Sequence, residues 1–306
     1  MYTYHEIKLQ NKQDAFSAMY MHLCRSIQEL CGVRTGEGVI RKAVRCAGAD
    51  SGLAQLQKFR HMNMRTNLHS LCHCASDLAD DPRVRKRRIA DEEDRQIWEV
   101  YTCPLADYWR RNRCEKLGSF YCEEFQRARV AAFTENAGQL NLSKKLTRPE
   151  DNFCCFAAFF REANMPPARA REAFSRDDAA CAGPKEPLAT VGFDECIRNL
   201  TISIYCHLYE SAEERCGGEG VCAISLGLRA WAGEAAETVR MQAAHQQGII
   251  IRQIHDALLF ICIHNMPSPV KRTPPQAGPV QAGPKEPLAT VGFDECIRNL
   301  TISIYC

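Results

Sequence analysis

The sequence has no excess of charge of either sign: 39 Lys and Arg stand against 37 Asp and Glu in 306 residues. Without a basic field, a nucleic-acid or anionic-membrane partner is not expected. A long apolar run is also missing. The most apolar stretch, Gly248–His264, is interrupted by Arg252, His255 and Asp256, which makes it too short and too charged for a bilayer span. The opening MYTYHEIKLQNKQD is polar and has no apolar core of the kind a secretory signal needs. These absences predict a soluble, cytoplasmic protein with no nucleic-acid and no membrane partner.

Cysteine, by contrast, is abundant, at 18 residues. In a small secreted chain such a count suggests a disulfide framework. In a chain of this length, with no export signal and with many cysteines inside apolar helical stretches, reduced thiols acting as small hydrophobes account for most of them.

The chain also repeats itself. Ala182–Cys206 and Ala282–Cys306 are identical. A looser repeat lies beneath: YMHLCRSIQELCG (Tyr20–Gly32) aligns with YCHLYESAEERCG (Tyr205–Gly217), and GEGV recurs at Gly36–Val39 and Gly218–Val221. Repeats set the domain reading before anything else does. That reading is a first unit over 4–165, a linker over 166–187, a helical partial repeat over 188–265, a Pro-rich linker over 266–287 and the start of a third copy over 288–306.

Periodicity predicts helices over Ala15–Cys31, where Gly32 is a natural stop, and over Gly38–Cys46, Ala54–Cys74, Leu105–Arg113 and Lys116–Phe133. Ile97–Thr102 is β-branched and aromatic and predicts a strand. Leu140–Leu146 and Phe153–Phe160 predict a closing hairpin. The second unit predicts helices over Phe193–Cys216, Gly220–Ala232, Ala235–Gln246 and Ile249–His264. The fold class is α+β: N-terminal helices, a small antiparallel sheet with packed helices, then a mostly helical truncated repeat. Lacking a sheet, that repeat keeps an apolar helical face to cover, on the first unit, on the last helix Phe293–Cys306, or in a homo-oligomer.

Three positions in the first unit stand out together. Cys103-Pro104 follows a strand, Tyr121-Cys122 lies in the next long helix, and Asp151 opens the turn to Cys154 in the last strand. Asp107 lies one helical turn after Cys103, and Glu123 and Glu124 follow Cys122. Thiols beside carboxylates suit hydrolysis or addition, in which a nucleophile or an activated water needs a proton acceptor. Packing between helix and sheet would place cysteines there equally well.

The strings VYTCPLADYW (Val100–Trp109), FYCEEFQ (Phe120–Gln126) and KLTRPEDNFCCF (Lys145–Phe156), with GEGVIRKAVRCAG (Gly36–Gly48) upstream, resemble the L-2-amino-thiazoline-4-carboxylic acid hydrolase family over roughly Ala15–Phe160. The resemblance implies opening of a cyclic amidine. Water adds at the carbon between ring sulfur and nitrogen and yields a carbamoyl-cysteine, either after attack by a Cys thiolate or directly through an acid/base pair. No cofactor is implied. The substrate carboxylate calls for an arginine, with Arg110, Arg111, Arg127 and Arg129 as candidates and Arg110 and Arg127 preferred. Two positions depart from the family pattern. Gln126 stands where an Asp follows the Tyr-Cys cysteine by four residues, and Glu150 stands where a Gly precedes the Asp-x-x-Cys. A non-catalytic ligand-binding or sensory module of the same build, or a degenerate tandem duplicate, therefore stays open beside the hydrolase.

Two further signals are weaker. His69, Cys72 and His73 fall on one helical face at a spacing that can hold zinc, but no second ligand pair follows at a standard interval, and no metal is assigned. The basic run Arg83–Arg88 is followed at once by Asp91–Asp94, which would neutralise it, and so it reads as a solvated connection from helix to strand.

Overall fold

A computed structural model describes residues 4–74, 81–174 and 193–245. Helices α1 (Tyr4–Cys31), α2 (Val33–His61) and α3 (Leu68–Cys74) precede a β-hairpin of β1 (Arg85–Asp91) and β2 (Arg95–Thr102). Helices α4 (Pro104–Arg111) and α5 (Glu115–Phe133) lead to β3 (Gly138–Lys144) and β4 (Cys154–Phe160), and α6 (Pro167–Phe174) follows a short 3₁₀ turn. Helices α7 (Phe193–Cys216) and α8 (Gly218–His245) close the described chain. This is the expected α+β fold. No helix among the described residues is long and apolar enough to cross a membrane.

The sheet is fully antiparallel in the order β1-β2-β4-β3. The run CCFAAFF in β4 buries every second residue, so Cys154, Phe156, Ala158 and Phe160 face the helices, as the two-residue period of a strand requires. Leu56 and Phe59 of α2, Val130 and Phe133 of α5 and Leu140 of β3 complete this core.

The sequence and the structure part company at several places. The basic run is not a connection: Arg85–Asp91 is an edge strand. Its backbone pairs with β2, while Arg87 meets Glu99 and Arg88 meets Asp91, and a charged edge of this kind resists pairing with other chains. The helix predicted over Ala54–Cys74 breaks at Met62–Asn67, where Asn63 takes a left-handed conformation (φ 50°) and the Asn67 side chain accepts the Ser70 N–H at the start of α3. Conversely, α2 runs unbroken through Gly48 and Gly52. A Cβ at Gly48 would lie 2.4 Å from the Phe125 carbonyl oxygen, and one at Gly52 2.3 Å from that of Arg129. Both glycines thus let α5 approach closely.

Within the stretch read as a linker, α6 buries Ala170 and Ala173. The chain up to Gly227 forms one compact unit, and Leu228–Cys306 forms a second, of which the latter part of α8 is described. In the first unit α7 lies against α1 and α2, with ion pairs from Lys42 to Glu214 and from His207 to Asp50. The two matched Cys-Gly corners both place the glycine at positive φ, 79° at Gly32 and 55° at Gly217. They also meet: burial, followed by a hydrogen bond with Cys216, pushes the Cys31 thiol up to about 12. The predicted helices Ile249–His264 and Phe293–Cys306 lie outside the described residues.

Candidate active site

Strand β2 ends at Thr102, and Cys103 becomes the N-cap of α4 with Pro104 at its first position. Proline suits that place because its missing N–H would have had no partner there. The backbone N–H groups of Leu105 and Ala106 in the first turn pull the Cys103 pKa down, although the side chain makes no cap hydrogen bond; burial outweighs them and raises it overall. Cys122 projects from the middle of α5, where burial first, and then Cys154 and Cys103, push its thiol well above the ordinary range. Cys154 opens β4. Burial takes its thiol up to about 12, against the Leu146 N–H that reaches its sulfur at 3.2 Å. Helix, strand and strand-to-helix corner therefore bring the three predicted thiols within electrostatic reach of one another, in surroundings that keep them protonated.

An aromatic wall backs the cluster. Tyr121 stacks on Phe125 and meets Phe16, Tyr20 and Trp109 edge-on or tilted. Its buried hydroxyl is raised well above the ordinary value by burial, with Cys122 and Cys103 adding to the effect. Tyr20 donates to the Leu117 carbonyl and Trp109 to that of Ser17, which fixes the wall to α1.

The predicted acids divide by position. Asp107 is exposed in the first turn of α4, within electrostatic reach of Cys103. Glu123 is paired with Lys145 and, at 2.7 Å, with Arg41. Desolvation opposes its ionisation, but the hydrogen bonds from Lys145 and Arg41 outweigh it and hold the carboxyl below its usual range. Glu124 is almost wholly buried and paired with Arg41 at 2.8 Å. Asp151 accepts the Lys145 N–H at 2.9 Å and so closes the β3–β4 connection. Arg110 and Arg127 lie on exposed helix faces. Arg129 is buried and donates to Gln55 and to Gln126, the latter at 3.3 Å.

Several residues at the β2–α4 corner and on the adjoining part of α1 had no signal in the sequence. Arg83 bridges α1 to the β2–α4 corner: it binds Asp14 at 2.8 Å, the fully buried Asp81 at 2.8 Å and the Gln10 carbonyl, while its own carbonyl accepts from Thr102. Burial raises the Asp14 pKa against the pull of Arg83. Beside Asp14, the Gln13 side chain is 1% exposed, and both of its amide atoms lack a hydrogen-bond partner. Such a group is costly unless something else satisfies it. Lone Gln, Asp and Arg positions of this kind carry no spacing pattern that would mark them.

Residues 9–159, from α1 to β4, match the L-2-amino-thiazoline-4-carboxylic acid hydrolase family. Through this segment, about half of the chain, the protein belongs to that family of hydrolases. No curated protein and no solved structure matches it. The matched segment contains all three thiols and each acid assigned to them.

His69, Cys72 and His73 sit elsewhere, on α3 beside the β1–β2 turn. The strand β2 separates that turn from Cys103, about 23 Å of extended chain between Gln96 and Cys103.

Proposed function

We propose that the protein opens a small cyclic amidine, a 2-amino-thiazoline carboxylate, to a carbamoyl-cysteine-type product, with Cys103 as nucleophile. The observation that carries this reading is the Cys103 sulfur at the start of α4, where the backbone N–H groups of Leu105 and Ala106 favour its thiolate, within electrostatic reach of Cys122, Cys154 and Tyr121. N–H groups aimed at a sulfur stabilise the negative charge that develops as a thiol gives up its proton. Cys154 has one such donor, from Leu146, and none acts on Cys122 among its resolved influences.

Because burial keeps the thiol protonated, the base is the substrate. An amidine ring nitrogen takes the Cys103 proton as the sulfur bonds to the carbon between ring nitrogen and ring sulfur. The carbon–sulfur bond of the ring then breaks, its electron pair stays on the departing sulfur, and that sulfur takes up a proton. An enzyme-bound isothiourea remains. Water adds to the same carbon, the Cys103 thiol leaves, and the water oxygen becomes the carbonyl of the carbamoyl group. One water is consumed, and the enzyme thiol is regenerated.

Lys145, whose charge is felt at Cys122, is a better-situated partner for the substrate carboxylate than the exposed Arg110 or Arg127. Gln126 favours a second reading, a ligand-binding module without turnover: the family's acid is here a neutral amide, occupied with Arg129.

The test is turnover of L-2-amino-thiazoline-4-carboxylate by the full chain in reducing buffer, with acid-quenched mass spectrometry of the Cys103 peptide. The expected result is product and a Cys103 adduct, with activity falling about a hundredfold or more in Cys103→Ser and much less in Cys122→Ser and Cys154→Ser. A folded wild type that binds the compound without turning it over would support the binding module instead. An adduct on Cys122 or Cys154 would remove Cys103 from its role.

A further inference from the structure

Helix α3 and the end of strand β1 bring together three side chains that the thiol chemistry does not use. His69 Nδ1 stands 3.1 Å from Asp91 Oδ1, and His73 Nε2 stands 2.9 Å from the same oxygen. These three atoms all lie within 4.8 Å of one another. The two imidazoles are stacked, with centroids 4.0 Å apart, as the one-turn spacing of His69 and His73 on a helix allows. In a tetrahedral shell with ligands at about 2.0–2.1 Å, neighbouring ligand atoms are separated by about 3.3 Å. The cluster therefore needs only small side-chain movements to surround an ion.

We infer that His69, His73 and Asp91 form a binding site for a divalent cation of the zinc type, with water in the fourth position. Two imidazoles and one carboxylate are a borderline donor set that suits such ions and does not suit magnesium or calcium. All three side chains keep access to solvent, with 48%, 34% and 35% of their surface exposed, so an ion can reach them.

The surrounding groups hold the carboxylate and one imidazole in place. Gln96 donates to Asp91 Oδ1 at 2.8 Å, and Arg88 donates to Asp91 Oδ2 at 3.0 Å. Arg88 also donates to His73 Nδ1 at 3.0 Å, which places the proton of a neutral His73 on Nε2, facing the carboxylate. Loading the ion moves that proton to Nδ1. Arg88 then gives up its contact with His73 and keeps the one with Asp91. Its positive charge beside the site opposes the incoming cation, so removing it should tighten binding.

The site ties α3 to the β1–β2 hairpin at the far end of β2 from Cys103. Its role is therefore to clamp two elements, separate from the hydrolytic chemistry and independent of whether that chemistry is correct.

Cobalt(II) is a suitable probe, because its visible absorption reports tetrahedral nitrogen and oxygen ligation and a thiolate-to-cobalt band would expose binding by cysteine. Titration of the full, reduced chain should give saturable visible absorption without the thiolate band. Binding should weaken about tenfold or more in His69→Ala, His73→Ala and Asp91→Asn and should strengthen several-fold in Arg88→Gln. Asp91→Asn keeps the side-chain shape and serves where a histidine variant fails to fold. Absence of the visible band at millimolar cobalt, a band of thiolate character, or binding unchanged in Asp91→Asn would overturn the assignment.

Discussion

Gly118 of α5 lies flat against the indole of Trp109 in α4: a Cβ on Gly118 would fall 2.3 Å from Trp109 Cε3. Trp109 is fully buried and in contact with both Tyr20 and Tyr121. The bare glycine thus sets how closely α4, which carries Cys103, approaches α5, which carries Cys122. Gly118→Ala forces the indole or the helix aside, and overpacking of this kind costs about 1–3 kcal/mol. Urea denaturation should show that loss, and near-UV circular dichroism should show a displaced tryptophan. An unchanged midpoint would mean the indole moves without cost.

Arg41 binds Glu37, Glu123 and Glu124 from one guanidinium and lies over the Phe120 ring at 4.4 Å. Glu124 is 8% exposed, and its remaining cation, Arg45, stands at 3.5 Å. Arg41→Met keeps the stem packing but leaves the buried carboxylate with its weaker partner. Removing one member of a buried pair costs about 3 kcal/mol, and Arg45 should offset part of it. The expected loss is about 1–3 kcal/mol, with Arg41→Lys in between. If Met and Lys variants are equally stable, the guanidinium geometry is not what holds α2 to α5.

Much of this organisation was legible in the sequence, because it rests on periodicity and on short motifs. The α5 helix, the β3–β4 hairpin and the Cys103-Pro104 corner follow from residue spacing, and their convergence follows once helix and strand must share a core. The edge strand Arg85–Asp91 was not legible, since its charged side chains hide a backbone pairing that only β2 supplies. Asp91 was missed as a partner of His69 and His73 for a related reason: it belongs to another element and carries no local spacing signal. Likewise Arg83, Asp81 and Gln13 acquire meaning only when α1 is laid against the β2–α4 corner. Arg110 and Arg127 had the right chemistry for a carboxylate, but the phase of their helices turns them to solvent.

The buried Arg129 bears on the departure at Gln126. Burial pulls the Arg129 guanidinium down to about 10, so the folded state carries its charge at a cost at neutral pH. Gln126→Glu replaces a neutral acceptor at 3.3 Å with a charged one of the same shape. A charge-assisted hydrogen bond is worth about 1.5–3 kcal/mol, less the cost of desolvating the new carboxylate, so a net gain of about 1 kcal/mol is expected at pH 7. The gain should vanish as the new acid is protonated at low pH. Denaturant midpoints at both pH values check this; a destabilised variant at pH 7 would mean that desolvation wins at this position.

The thiol cluster makes an alkaline prediction whose sign is fixed. Cys154 moves from an ordinary 9.0 to about 12 in the folded chain, mainly through burial, and Cys103 and Cys122 shift the same way. Between pH 9 and 12 the unfolded chain has lost protons that the folded chain still holds. Stability therefore falls as pH rises through this window, by about 1.4 kcal/mol per pH unit for each thiol so shifted. Below pH 9 both states are protonated, and the thiols contribute no slope. Lysines and tyrosines also titrate in this range, so the informative quantity is the difference between wild type and Cys154→Ala. The variant should be less stable at pH 8, where a cavity replaces the sulfur, and should lose stability less steeply toward pH 11. The measurement is a series of denaturant midpoints in reducing buffer across that range. Parallel curves for the two proteins would show that Cys154 ionises in the folded chain as readily as in the unfolded one, and the picture of a protonated thiol cluster would fall with it.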